Sequence, residues 1–171
     1  MAFLGTWSAT EWSTVAGGAV LLVGAIGDFR EGRFRNSVFV VGSLAGLAVS
    51  IALGGWAGAQ QSALGFVGGF TLFMPLVLLG AIGAGDMKLL AAFGAACGWT
   101  AVAEVAVFGM IWGTVFGITQ AALRGEATQV FRNAIKVAAT RSGKGVQLHR
   151  IPFAAALLIG WATLLTYEGL I

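Results

Sequence analysis

The stretch Gly83-Ala84-Gly85-Asp86-Met87-Lys88 sets a carboxylate and an ammonium beside small, pliant backbone, between the apolar run ending at Ile82 and another beginning at Met87. An acid at the edge of a membrane span is costly unless it is paired, hydrated or used. One other acid stands in a comparable place, Asp28, at the end of the first apolar run. Two such carboxylates in a chain almost free of charge suggest a pair that works together, provided the fold lets them meet.

Composition sets the class. Of the 171 residues, 58% are hydrophobic and 10% charged, and the mean hydropathy is +0.89. Soluble domains carry about 25% charged residues, so this chain is expected to be an integral membrane protein, with the lipid bilayer as its surroundings. The 27 glycines agree, because small residues let membrane helices approach closely. The net charge of +3 comes from basic residues lying between apolar runs, where they act as topology signals and not as a nucleic-acid surface. Cys97 is the only cysteine and His149 the only histidine. That leaves no internal disulfide, no thiolate zinc site and no histidine metal cluster, and it makes a serine–histidine hydrolase a poor fit. Cys97 lies among Gly94, Ala95, Ala96 and Gly98 and reads as a small packing residue. The amino terminus lacks the basic region of a cleavable signal, so none is expected.

A helix needs about 20 apolar residues to cross a bilayer. The candidates run from about Trp12 to Asp28, Ser37 to Trp56, Ser62 to Ile82, Met87 to Trp99, Ala101 to Leu123 and Ile151 to Tyr167. The fourth is short. The aromatic residues Trp7, Trp12, Trp56, Trp99, Trp161 and Tyr167 fall near proposed ends, whereas Trp112 is interior and is expected to pack between helices. Loop charge tests the count. The first loop holds Arg30, Arg33 and Arg35 against Glu31, the third holds Lys88 near Asp86, and the fifth holds six basic residues from Arg124 to Arg150 against Glu126. The second loop, Gly55 to Gln61, and the fourth, around Trp99, carry no charge. Basic odd loops and bare even loops predict six transmembrane helices in a single 1–171 domain, with both termini on the outer side. On that topology Asp28 and Asp86 share the cytoplasmic boundary. Within the fifth loop, Ala127, Val130, Phe131, Ala134, Ile135 and Ala138 recur at helical spacing among basic residues, which predicts an amphipathic helix on the cytoplasmic leaflet.

Each acid also has a plain structural reading. Asp86 could be a helix N-cap, and Asp28 could pair with Arg30 or Arg33 or stay hydrated. Glu104, inside the fifth span, reads as a polar contact within the bundle. If Asp28 and Asp86 do meet, they cannot both ionise cheaply and will share a proton near neutral pH. The ionised acid can then take a proton from water while the protonated one hydrogen-bonds a scissile carbonyl, with Gly83 and Gly85 leaving room for an extended peptide.

At these residues the chain resembles the type IV prepilin peptidases, membrane aspartic peptidases of the Gly-x-Gly-Asp class. Their first motif, roughly Asp-x-Arg-x-x-Arg-Ile-Pro-Asn, is met by Asp28, Arg30, Arg33 and Asn36 at the right spacing, with Phe34 and Arg35 in place of Ile-Pro. Their second, Gly-x-Gly-Asp-x-Lys, is intact as Gly83, Gly85, Asp86 and Lys88, and a Pro-aromatic pair opening the last span matches Pro152-Phe153. The resemblance implies catalytic Asp28 and Asp86, without metal or other cofactor, cleaving the short basic leader of prepilin or pilin-like precursors. It places the active site at the cytoplasmic face of the bacterial inner membrane. By the same resemblance, Lys88, Arg30 and Arg33 shape the site or hold it to lipid. Larger family members carry a cytoplasmic insertion with paired cysteines and N-methylate the new terminus. This chain, lacking those features, resembles the short peptidase-only branch associated with Flp/Tad pili. The alternative from another class is a small transporter coupling protons or cations through the same acids; against it, coupling sites usually sit near mid-membrane.

Overall fold

In the computed structural model, the described residues are 9–31, 36–125 and 153–167. They form four helices: α1 (Ala9–Glu31), α2 (Asn36–Leu78), α3 (Ala84–Leu123) and α4 (Phe153–Tyr167). The first three are long and apolar enough to cross a membrane, and α4 is shorter. The expected amphipathic helix around 127–138 lies outside the described residues, as do Arg33 and Arg35.

The architecture is all-helical as expected, but two of the expected loops are not loops. With 43 residues, α2 would reach about 65 Å as a straight rod, twice the roughly 30 Å bilayer core. It folds instead at Gly55, whose φ of 57° and ψ of −133° are non-helical. The ring of Phe39 lies 5.9 Å from that of Phe66 and 5.9 Å from that of Phe70. On a straight helix residues 39 and 66 would stand about 40 Å apart. Similarly, the 40 residues of α3 fold at Gly98 (φ 83°, ψ −177°). A Cβ placed on Gly94 would come within 2.6 Å of Val102, eight residues further on. Only glycine reaches these φ values without a Cβ penalty, so each reversal uses one residue where several had been expected. Trp56 and Trp99 directly follow the two turning glycines.

A turn inside a helix disturbs the backbone ladder, and in lipid every freed carbonyl needs a partner. Near the Gly98 turn, Ser62 donates to the Ala95 carbonyl at 2.6 Å, and Ser50 donates to Ala95 at 3.1 Å and Ala96 at 3.4 Å. The two serines come from opposite limbs of α2, so one hydroxyl pair secures both folds.

The first limb of α3 is the centre of the molecule. Met87 and every residue from Leu89 to Ala96 are buried. A helix buried all round is apolar all round and has no lipid face to fill, which accounts for the short fourth run in the sequence. Glycines bring α2 against it. A Cβ on Gly46 would meet the Ala95–Ala96 backbone, one on Gly69 the Leu90–Ala91 backbone, and one on Gly65 the Gly94 carbonyl. This is backbone-to-backbone packing of the small-xxx-small kind. The second limb of α3 receives α4 in the same manner, Gly160 lying on the Phe108–Gly109 backbone. As expected, Trp112 is an inter-helix residue, its indole N–H donating to Thr163 at 3.0 Å.

These contacts set a testable contrast. Gly65→Val should cost several kcal/mol through overpacking against backbone that cannot yield, on the order of 3 or more, and should abolish the monodisperse peak in detergent size-exclusion chromatography. Gly54→Ala, with nothing within 4 Å of its Cβ position, should elute and melt like the parent. Ser62→Ala, which removes the shorter of the two hydroxyl bonds to the Ala95 carbonyl and leaves Ser50 as its donor, should lower stability by about 1 kcal/mol, read as a lower melting temperature.

Candidate active site

Asp28 lies in the last turn of α1, which continues to Glu31 instead of ending at the acid. On α1, Gly17, Leu21, Gly24 and Ala25 are buried, and their spacing of three and four residues continues to Asp28, so the acid extends the stripe that faces the bundle. Across from it, Leu89, Leu90 and Phe93 of α3 form the matching stripe, and Asp86 stands one turn before Leu89 and Leu90. The register between the two helices is antiparallel. Ser13 accepts from the Cys97 thiol at 3.1 Å, Gly17 faces Cys97 and Phe93, and Gly24 receives the Leu89 side chain. Each step forward on α1 is a step back on α3, and the next step beyond Gly24 and Leu89 brings Asp28 toward Asp86. The two acids lie at the same end of the molecule.

Asp86 is held from below. The second limb of α2 closes with Gly80 donating to Val77 and Ala81 donating to Leu76, each at 2.9 Å, the paired-bond ending that caps helix carbonyls. The chain then enters α3 with Gly83 as N-cap. Asp86 is therefore the third residue of α3 and not its N-cap, the plain role that the sequence allows. It nonetheless serves the helix start, because the Gly83 N–H is directed at its carboxylate, which is half of a capping box. A negative charge in the first turn is also favoured by the helix dipole. Gly83 and Ala84 are exposed and Gly85 is half-buried, so the backbone leading to Asp86 is open on its outer side.

The remaining candidates divide. Arg30 is exposed at the end of α1, and Arg33 lies outside the described residues. Asn36 is the first residue of α2, and its side-chain oxygen accepts from Lys88 Nζ at 2.8 Å. The two sequence motifs thus touch through this bond. Sequence reasoning missed the Asn36–Lys88 contact and the Gly24–Leu89 contact. The second had a signal, the glycine four residues before Asp28; the first had none beyond the two motifs occurring together. Glu104 is half-buried on the second limb of α3. Among the described residues no three His, Cys, Asp or Glu side chains gather as metal ligands. A groove of ≈ 460 Å³ between α1 and the first limb of α2, walled by Val20, Val23, Val38 and Val41 over Gly42 and Gly46, carries no titratable side chain.

Comparison with known families bears on this arrangement. The sequence pattern of the type IV leader peptidase family matches residues 15–118, well over half of the chain and including Asp28, Asn36, Asp86 and Lys88. The chain belongs to the type IV leader peptidase family. Neither the curated proteins nor the solved structures compared with it give a match. This leader peptidase is therefore a hydrolase of a family that acts on prepilin-like precursors, built on apolar helices suited to a membrane.

Because Gly24 admits Leu89 one turn before Asp28, Gly24→Val should wedge α1 away from α3. Processing of a leader-bearing precursor should fall at least roughly tenfold, since small displacements of reacting groups are costly. Gly42→Ala, whose Cβ would make only ordinary contacts at 3.6–3.7 Å, should process normally in the same assay.

Proposed function

We propose that this leader peptidase is an aspartic endopeptidase in which Asp28 and Asp86 form the catalytic dyad. The observation that carries the reading is the antiparallel register of α1 and α3, which brings Asp28 and Asp86 to the same end of the two helices. Like charges held close share one proton. In the singly ionised pair, the carboxylate takes a proton from water as the water attacks the scissile carbonyl. The protonated acid hydrogen-bonds the carbonyl oxygen and stabilises the negative charge that develops there. The proton then passes to the leaving amine, and the pair is reset for the next cycle. The open backbone at Gly83 and Ala84 leaves space for an extended substrate strand beside Asp86.

In this proposal each limb of α2 and α3 crosses the bilayer once. Together with α1 and α4 that makes six crossings with both termini outside and the dyad at the cytoplasmic face. Support comes from the folds at Gly55 and Gly98 and from the alternation of loop charge. The substrates are prepilin or pseudopilin precursors whose short basic leaders are removed at the inner membrane. The Flp/Tad-type assignment is supported by the four-residue connection between α1 and α2 and by the single cysteine, which match the short branch that cleaves without N-methylation.

Three measurements test the proposal. Asp28→Asn and Asp86→Asn should each abolish conversion of a co-expressed prepilin while remaining inserted in the membrane; full conversion by either one would sink the dyad. For the parent, kcat against pH should be bell-shaped. Activity should fall on the acid side as the second carboxylate gains a proton and on the alkaline side as the shared proton is lost, the two apparent pKa values belonging to the pair. A carboxy-terminal alkaline phosphatase fusion, active only outside the cytoplasm, should be active.

A further inference from the structure

We propose that the Lys88–Asn36 hydrogen bond is a clasp that sets the approach of Asp28 to Asp86, making Lys88 and Asn36 positioning residues of the dyad. The inference rests on the dyad reading above and goes beyond it, because neither residue need touch substrate.

Both residues sit where local rules favour something else. Asparagine is a weak helix former because its side chain competes for nearby backbone groups. Asn36 opens α2, yet its oxygen accepts from Lys88 at 2.8 Å on another helix. A cation near a helix start faces the positive end of the dipole. Lys88 is the fifth residue of α3, and its partner opens α2, so its ammonium lies close to the starts of two helices. The apolar packing of α3 needs neither arrangement. Departures from local preference that recur at one place point to a site.

The chain path gives the clasp its leverage. Residues 32–35 alone separate the end of α1 at Glu31 from Asn36, so their Cα atoms can be no more than about 18 Å apart. Fixing Asn36 to α3 therefore limits where the last turn of α1, which carries Asp28, can lie. Without the clasp, that turn is held to α3 by the Gly24–Leu89 contact one turn earlier. Asp86 and Lys88 are two residues apart on the same helix, so the clasp ties Asp28 to the segment that bears its partner. The acceptor is a neutral amide, which holds the ammonium without adding a third carboxylate beside the dyad.

The test uses the full chain in detergent or nanodiscs with a synthetic leader-bearing peptide, and follows kcat and KM across pH. Lys88→Met and Asn36→Leu should each lower kcat roughly ten- to a hundredfold, as expected for misplaced reacting groups, with KM changed by no more than about twofold. The two limbs of the bell should move closer together, because carboxylates further apart repel less. The double variant should be no worse than the weaker single, and Lys88→Arg, which can still reach Asn36, should restore most of the rate. An unchanged bell width, additive losses, or a loss confined to KM, as a substrate or headgroup contact would give, overturns the clasp. If Lys88→Met does not fold, Asn36→Ala at an exposed position answers the same question. Activity surviving in Asp28→Asn would remove the dyad itself, whereas an inactive Asp28→Asn beside an unchanged Lys88→Met profile removes the clasp alone.

Discussion

The structure depends on how closely two backbones can approach. The first limb of α3 is encircled, and α2 lies on it with glycine at the contacts, Gly46 against Ala95 and Ala96, Gly65 against Gly94, and Gly69 against Leu90 and Ala91. In a bilayer, lipid tails are as apolar as leucine, so side-chain burial alone gives helices little reason to associate. Close approach supplies what lipid cannot, dense dispersion contacts and short routes for hydroxyl donors such as Ser50 and Ser62 to reach backbone carbonyls. Once α2 lies so near, α1 can reach α3 only along the remaining face, where Gly17 and Gly24 admit Phe93, Cys97 and Leu89. That same register carries Asp28 and Asp86 to the same end of the bundle.

Division of labour between the two ends follows. At the Gly55 and Gly98 end, reversals take one residue each, and the Ser50 and Ser62 hydroxyls engage carbonyls. At the other end lie the acids, Asn36, Lys88 and the chain connections. Asp28, Asp86 and Lys88 are thereby gathered near helix ends, where an ionisable group costs less than inside a span, and the serines within the bundle are satisfied locally.

Much of this was legible in the sequence. Apolar run length and scarcity of charge give the membrane class, and the two motifs give Asp28, Asp86, Lys88 and Asn36 as one group. The interior placement of Trp112 was also legible, because it falls mid-run when the other tryptophans do not. What the sequence hid has physical reasons. Loops were expected at 55–61 and around Trp99 because reversals usually need several residues, whereas glycine at φ 57° and 83° needs one. The short fourth run looked deficient only against the length rule for a lipid-facing span; burial on all sides removes that demand. The apolar run beginning at Met87 leaves Asp86 in the N-cap position, whereas α3 starts at Ala84, which moves the acid to the third position. The Asn36–Lys88 bond left no periodic trace, since it joins two helix starts 52 residues apart.

The single-glycine reversals bear on how such a chain can vary in length. The chain is helical again from the residue after each turn, so one residue inserted between Gly55 and Ser62 would rotate the following limb by about 100°. Ser62 would leave Ala95, and Gly65 and Gly69 would turn their bare faces to lipid. Insertions and deletions are better absorbed in the connections at the opposite edge, at residues 32–35, 79–83 and 124–152. A chain of this design can change length only in its connections, at the end of the molecule that carries Asp28 and Asp86.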